Sequence, residues 1–171
     1  MNKLQENFVS TTRIFDGKII NLRIDTVTLP NGKEAKREIV EHPGAVAVVP
    51  ILPDGRIIMV RQYRHAVGKA LLEIPAGKLD RGEIPEQCAR RELEEETGYA
   101  SNQLRLLTSV WTAPGFSDEI IHIYVAENLQ EKVQNLDEDE FLHIEFYSKE
   151  ELWQMIQDGS ISDSKTIIGL C

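Results

Sequence analysis

The sequence predicts a mixed α/β or α+β sandwich preceded by a small antiparallel β unit. Three observations carry that expectation. The run Ala45–Leu52, "AVAVVPIL", is apolar without alternation, as in a strand buried on both faces. The stretch Pro85–Thr97 has helical spacing, with Pro85 in a first turn and Gly98 at a C-terminal stop. The N-terminal third carries β-rich segments around the turn dipeptides Asp16-Gly17 and Asn31-Gly32.

The elements follow in order from local signals. "FVSTTRIF", "KIINLRIDTVTLP" and "KEAKREIVEH" make a three-strand meander, and His42-Pro43-Gly44 ends it. This gives an N-terminal β unit over residues 1–43 and a second domain over residues 44–171. A three-strand sheet cannot bury both of its faces, so the unit is expected to pack on the rest of the chain or on another subunit. After "AVAVVPIL" the turn Pro53-Asp54-Gly55 leads to the strand "RIIMVRQYR". A short strand in "ALLEIPAG" ends at Pro75 and Gly77. Beyond the helix, "QLRLLTSVW" and "IIHIYVAE" are strands separated by the loop "TAPGFSDE". The acidic loop "NLDEDE" precedes the strand "FLHIEFYS". Ser148 and Glu151 have capping-box spacing for a helix in "KEELWQMIQ". A last helix begins in "SDSKTIIGL".

Composition narrows the function. The chain has 171 residues and a net charge of −9. A chain this acidic does not hold nucleic acid by bulk electrostatics, and an anionic substrate needs local arginines or metal ions. The two cysteines, Cys88 and Cys171, form no CxxC pair, and no apolar run approaches a membrane span. A cytoplasmic protein is expected, with neither nucleic acid nor membrane as partner.

The chemistry concentrates between Gly77 and Tyr99, "GKLDRGEIPEQCARRELEEETGY". On a helix, Glu92, Glu95 and Glu96 stand at i, i+3 and i+4 and share one face. Glu94 points elsewhere. Ala89 and Leu93 form the apolar seam, and at about 100° per residue Glu96 borders it. One reading is a solvated acidic face with Arg91 and Glu95 paired at i, i+4. However, like charges at this spacing cost about 0.2–0.5 kcal/mol per pair, and more beside a core. A hard divalent cation turns that cost into binding. Mg²⁺ favours carboxylate oxygens, keeps several waters and bridges to phosphates.

The spacing Gly77-x5-Glu83-x7-Arg91-Glu92-Leu93-x-Glu95-Glu96-x-Gly98-Tyr99 resembles the signature of Nudix hydrolases at every defined position. The resemblance implies a mixed-sheet α/β/α sandwich, here with the N-terminal antiparallel β-sheet unit added, and a box over residues 77–99 forming loop, helix and loop. It implies hydrolysis of a nucleoside diphosphate linked to another group. Glu92, Glu96 and Glu95 are then metal ligands, joined by the backbone carbonyl of Ala76. Arg91 and Glu83 orient those carboxylates. The implied cofactor is Mg²⁺, two or three ions, with Mn²⁺ as a substitute.

Further segments narrow the resemblance. Pro114 stands sixteen residues after Gly98, and "LPNGKEAKREIVEHPGAVAVVP", "RQYR", "LLEIPAGKLD" and "PGFSDE" are similar to bacterial ADP-ribose pyrophosphatases. The likeness runs from about Phe15 to about Lys165. It implies ADP-ribose as substrate, with AMP and ribose 5-phosphate as products. Arg37 and Arg64 would hold the substrate, as the planar guanidinium fork suits phosphate, and Glu119 would contact the ribose-phosphate side. In "LDEDEFLHIEF", Glu138 would be the general base and Glu140 a further metal contact, while a one-residue slip would select Asp139 or Asp137. The alternatives are an exposed-strand role for the arginines and a solvated turn for the acidic loop. The sequence departs from the pattern where some relatives stack adenine on an aromatic. Ile19 and Ile20 stand there, with Phe15 a few residues early. The family also implies a homodimer in which the N-terminal unit crosses over, so that Arg37 serves the partner's site. Rival functions are another nucleoside diphosphate sugar, a damaged nucleotide, or a non-catalytic module that senses ADP-ribose. His42, His65, His122 and His143 have no metal-ligand spacing.

Overall fold

A computed structural model describes residues 4–136 and 140–171. The chain forms two compact units. The first runs to Gly44 and also takes in Trp111–Ile120; the second comprises Ala45–Val110 and Ile121–Cys171.

In the first unit β1 (Asn7–Asp16), β2 (Asn21–Thr28) and β3 (Glu34–Glu41) form an antiparallel sheet in that order. Gly32 makes the second hairpin possible. Its φ of 80° lies in the left-handed region that glycine adopts without strain, and its amide donates to Leu29 O at 2.9 Å. Alternation along β2 buries Asp25 and Val27, whereas β1 is exposed along its whole length. Phe8, Ile14 and Phe15 on β1 face solvent in the single chain. The "TAPGFSDE" loop joins this unit, although by sequence it sits within the second domain. Phe116 O accepts from Val40 N at 2.8 Å, and Asp118 Oδ1 accepts from His42 N at 2.8 Å.

The second unit is built on β4 (Ala45–Pro50), every residue of which is buried. It is central in a mixed sheet. β10 (Ile120–Glu127) pairs with it in parallel and β7 (Ala76–Lys78) in antiparallel, and β9 (Gln103–Trp111) lies beyond β10. Period-two alternation sends Val46 and Val48 to one face, where they pack with Cys88, Ala89 and Leu93 of α1 (Pro85–Thr97). Ala45, Ala47 and Val49 go to the other face. There they meet a second antiparallel sheet: β5 (Ile57–Arg64) flanked by β6 (Lys69–Glu73) and β12 (Leu142–Tyr147). Leu152 of α2 (Lys149–Gln157) completes that core, and Ile167 of α3 (Ser164–Leu170) packs against it. β8 (Tyr99–Ala100) and β11 (Gln130–Glu131) form a two-stranded ribbon. The expected capping box is present: Ser148 Oγ accepts from Glu151 N, and Glu151 answers to Ser148 N. Among the described residues no helix is long and apolar enough to cross a membrane.

Candidate active site

Helix α1 starts at Pro85, where a missing N–H costs nothing. It ends at Gly98, whose φ of 69° permits the left-handed cap and whose amide donates to Glu94 O at 2.9 Å. Its inward stripe is Cys88, Ala89, Glu92, Leu93, Glu96 and Thr97. The helical repeat that buries the apolar seam therefore also buries two carboxylates. Glu92 is 8% exposed and Glu96 1%. Glu94 is exposed on the far side.

The first contact is backbone to helix. Ala76 N donates to Glu96 Oε2 at 2.9 Å, so β7 grips one oxygen of that carboxylate. One residue on, a Cβ at Gly77 would sit 1.9 Å from the Glu92 carboxylate. A side chain at this position would push the Glu92 carboxylate aside, whereas glycine leaves it in place. The box glycine is thus needed for space to accommodate Glu92, not for an unusual φ.

Arg91 organises the outer side. Its Nε and Nη2 donate to Glu83 at 3.1 Å each, while Nη1 donates to Glu92 Oε1 at 2.8 Å and Glu95 Oε2 at 2.9 Å. The i, i+4 pair considered from sequence is therefore one arm of a four-residue network. The hydrogen bonds from Arg91, with that of the Asp80 amide, hold the Glu83 carboxyl down at about 2. The inner carboxylates go the other way. Burial raises Glu96 to about 8, against the Ala76 amide that favours its ionised form, and the charges of Glu140 and Glu92 push it further. Burial raises Glu92 to about 6 despite Arg91, with Glu95 and Glu140 adding repulsion. Cys88, buried beside them, is pushed up to about 12 and is an inert thiol.

Glu92, Glu95, Glu96 and Glu140 thus act on one another electrostatically, as four carboxylates assembled for one cation site would. Among the described residues, however, no three acidic, thiol or imidazole groups converge on a ready-made ligand cage. Arg91 draws oxygens of Glu92 and Glu95 to itself, and Ala76 N holds one oxygen of Glu96. The donor set fits a hard dication. It offers carboxylate oxygens, buried and mutually repelling, whose ionisation a positive ion would favour.

The other expected residues belong to other elements of the chain. Arg64 ends β5, and its Nε and Nη2 donate to both oxygens of Glu73 at 2.9 and 2.8 Å. It is near enough to Glu96 for that charge to raise its pKa. Arg37 belongs to the first unit and donates to Glu6 at 3.0 and 2.5 Å. Glu119, also in the first unit, accepts from Thr112 Oγ1 at 2.6 Å and lies 3.6 Å from His42 Nδ1. Glu138 and its rivals Asp137 and Asp139 lie outside the described residues. The sequence reading missed Glu73. A lone carboxylate inside the apolar "ALLEIP" was the available signal. No local signal marks its second partner, Lys165.

Comparison with known proteins bears on the family and the fold. A NUDIX domain model matches residues 41–168, and the nucleoside diphosphate sugar hydrolase N-terminal domain matches residues 8–40. The chain is 47% identical over 168 residues to an ADP-ribose pyrophosphatase of Bacillus subtilis (strain 168), covering 97% of this chain and 91% of that protein. It is 50% identical over 173 residues to a methanol dehydrogenase activator of Bacillus methanolicus, covering 99% and 94%. A crystal structure of an ADP compounds hydrolase superposes with a TM-score of 0.86 at 24% identity, covering 99% of this chain and 93% of that one, which establishes likeness of fold.

Proposed function

Because this chain belongs to the NUDIX domain family, we propose that it hydrolyses the pyrophosphate bond of ADP-ribose, giving AMP and ribose 5-phosphate. The observation that carries the reading is the pair Glu92 and Glu96. These are buried carboxylates raised to about 6 and about 8 on the box helix, and a bound dication would favour their ionised form. The near full-length identity to an ADP-ribose pyrophosphatase selects the substrate.

In this reading Glu92, Glu95, Glu96, Glu140 and the Ala76 carbonyl hold two or three Mg²⁺ ions, for which Mn²⁺ substitutes. When bound, such ions would supply positive charge beside the pyrophosphate and a more acidic water. Glu138 accepts the proton of the attacking water, one P–O bond forms, and the bridging P–O bond breaks with its electrons leaving on the departing phosphate. Arg64, Arg37 and Glu119 bind and orient the substrate. Arg91 keeps Glu92 and Glu95 in place. Exposed apolar side chains on β1 support a homodimer through residues 1–43, which would bring Arg37 to the partner's site. Two cysteines with no CxxC spacing support a cytoplasmic location.

A substrate panel with Mg²⁺, its products resolved by chromatography, tests this. ADP-ribose should lead, with AMP and ribose 5-phosphate in equal amounts. Turnover of GDP-mannose far above ADP-ribose would sink the substrate assignment. Glu138→Gln should lower kcat by about 10²–10⁴-fold with KM nearly unchanged. Full kcat in that variant, with loss in Asp139→Asn, would move the base by one residue. The similarity to a methanol dehydrogenase activator favours one other reading, activation of a dehydrogenase. Adding the wild type and Glu96→Gln to a methanol dehydrogenase assay separates them, because activation through hydrolysis is lost in the variant and activation by binding alone is kept.

A further inference from the structure

Glu73, the last residue of β6, is 2% exposed and bears no part in the reaction described above. Its carboxylate is bound from two sides. Arg64 donates Nε to Oε1 at 2.9 Å and Nη2 to Oε2 at 2.8 Å. From behind, Lys165 Nζ donates to Oε2, and also to Asp163 Oδ2 at 3.0 Å. Lys165 is shared between Glu73 and Asp163, whereas Glu73 is the one carboxylate that Arg64 pairs with among the described residues.

The strand register gives a second clue. Arg64 pairs with Lys69 across β5 and β6, whereas Glu73 pairs with Val60. The Arg64–Glu73 contact is therefore no cross-strand neighbour pair. Arg64 reaches back along its own strand to make it, giving up the rotamer freedom of a long side chain. Its side chain is 38% exposed while its anchor is 2% exposed. One edge of the guanidinium thus meets the core. Nη1, the other edge, makes no hydrogen bond among the described residues, and the Glu96 charge reaches this guanidinium.

Glu73 also sits on a braced segment. Asp163 caps α3 by accepting from Thr166 N at 3.0 Å and Thr166 Oγ1 at 2.6 Å, and Thr166 Oγ1 accepts from Ile74 N at 3.0 Å. A Cβ at Gly169 would lie 2.9 Å from Ile74 Cδ1, so α3 packs directly on this segment. Two residues further, Ala76 N holds Glu96. Residues 73–76 therefore carry Arg64 at one end and Glu96 at the other, with α3 fixing the middle.

We propose that Glu73, braced by Lys165, is a positioning residue that fixes Arg64 with its Nη1 edge free to bind an anionic oxygen of the substrate's pyrophosphate. The proposal rests on the reading of Arg64 as a substrate-binding residue given above. A buried ion cluster adds little net stability by itself, and a guanidinium held on one edge loses less freedom when the other edge binds phosphate.

The test is a double-mutant cycle on kcat and KM, read on whichever panel substrate the protein hydrolyses. Arg64→Ala should raise KM. Glu73→Gln should raise KM by about tenfold, with kcat changed far less, and should add nothing in the Arg64→Ala background. An equal rise in that background would mean that Glu73 does not act through Arg64, and would overturn the proposal. If Arg64→Ala leaves KM unchanged, the substrate-binding role of Arg64 and the proposal fall together, which is a different result. Should Glu73→Gln not fold, Lys165→Met keeps the Arg64–Glu73 pair. It should raise KM by a few-fold, only when Arg64 is present, with recovery in Lys165→Arg. A KM in Lys165→Met equal to wild type would also overturn the proposal.

Discussion

Glu73 and Glu96 lie in the same unit, are almost equally hidden, at 2% and 1% exposed, and are held in opposite electrostatic states. Burial disfavours the ionised form of both. At Glu73 the guanidinium of Arg64 and the ammonium of Lys165 overcome that cost, and its pKa falls below the ordinary value. At Glu96 one backbone amide and the charge of Arg64 stand against burial and two neighbouring carboxylates, and its pKa rises to about 8. Burial alone therefore does not mark a carboxylate suited to a cation. What distinguishes Glu96 is that the chain compensates its charge only in part, which makes it receptive to a cation from outside.

The contrast can be broken most forcefully at Glu73. Glu73→Leu takes the carboxylate from a partly exposed Arg64 and leaves the buried Lys165 with Asp163 alone, and should cost about 3 kcal/mol, read as a fall in urea-unfolding free energy. A loss under about 1 kcal/mol would mean that Glu73 is not compensated as described. The same operation at Glu96 should have the opposite character. Glu96→Gln should lower Mg²⁺-dependent turnover by at least about 10²-fold, while the metal-free protein unfolds at the same temperature or higher. Near-normal turnover in both Glu96→Gln and Glu92→Gln would remove the metal-site assignment.

A titration sharpens the comparison. Glu96 and Glu92 are raised above the ordinary carboxyl value of 4.5, to about 8 and about 6, so folded protein binds more protons than unfolded protein between these limits. Their contribution to stability is fully present below about 4.5 and is lost as pH rises to about 8. Urea unfolding in EDTA should therefore show metal-free wild type losing stability against Glu96→Gln across that window, with Mg²⁺ shrinking the difference. Glu73 has the reverse sign. Its pKa is lowered, so its contribution is present above the ordinary value and is lost as pH falls through the folded one. A flat difference between wild type and Glu96→Gln would refute the raised state. The smallest effect is expected at Glu94, in the same acidic run but exposed. Glu94→Gln should shift stability by less than about 0.5 kcal/mol and leave turnover unchanged. A loss there comparable with that at Glu96 would make crowding, and not burial with incomplete compensation, the cause.

Much of this was legible in the chain. Helix α1 could be read because Pro85 and Gly98 mark its ends and the 3.6-residue repeat puts Glu92, Glu95 and Glu96 on one face. β4 could be read because a strand buried on both sides must be apolar at every position. Those properties depend on near neighbours in sequence, and near neighbours are what a sequence displays. Tertiary structure decided the rest. The need for glycine at position 77 depends on a carboxylate fifteen residues away. The raised state of Glu96 depends on the burial that packing imposes and on the approach of Glu140, and the lowered state of Glu73 on Arg64 and on Lys165, ninety-two positions along the chain. The loop Trp111–Ile120 joined the first unit because Phe116 and Asp118 bond to Val40 and His42. The physical reason is common to all of these. Residue type and periodicity fix which groups a helix or strand turns inward, but desolvation and charge compensation are set by what meets them there, and that partner comes from anywhere in the chain.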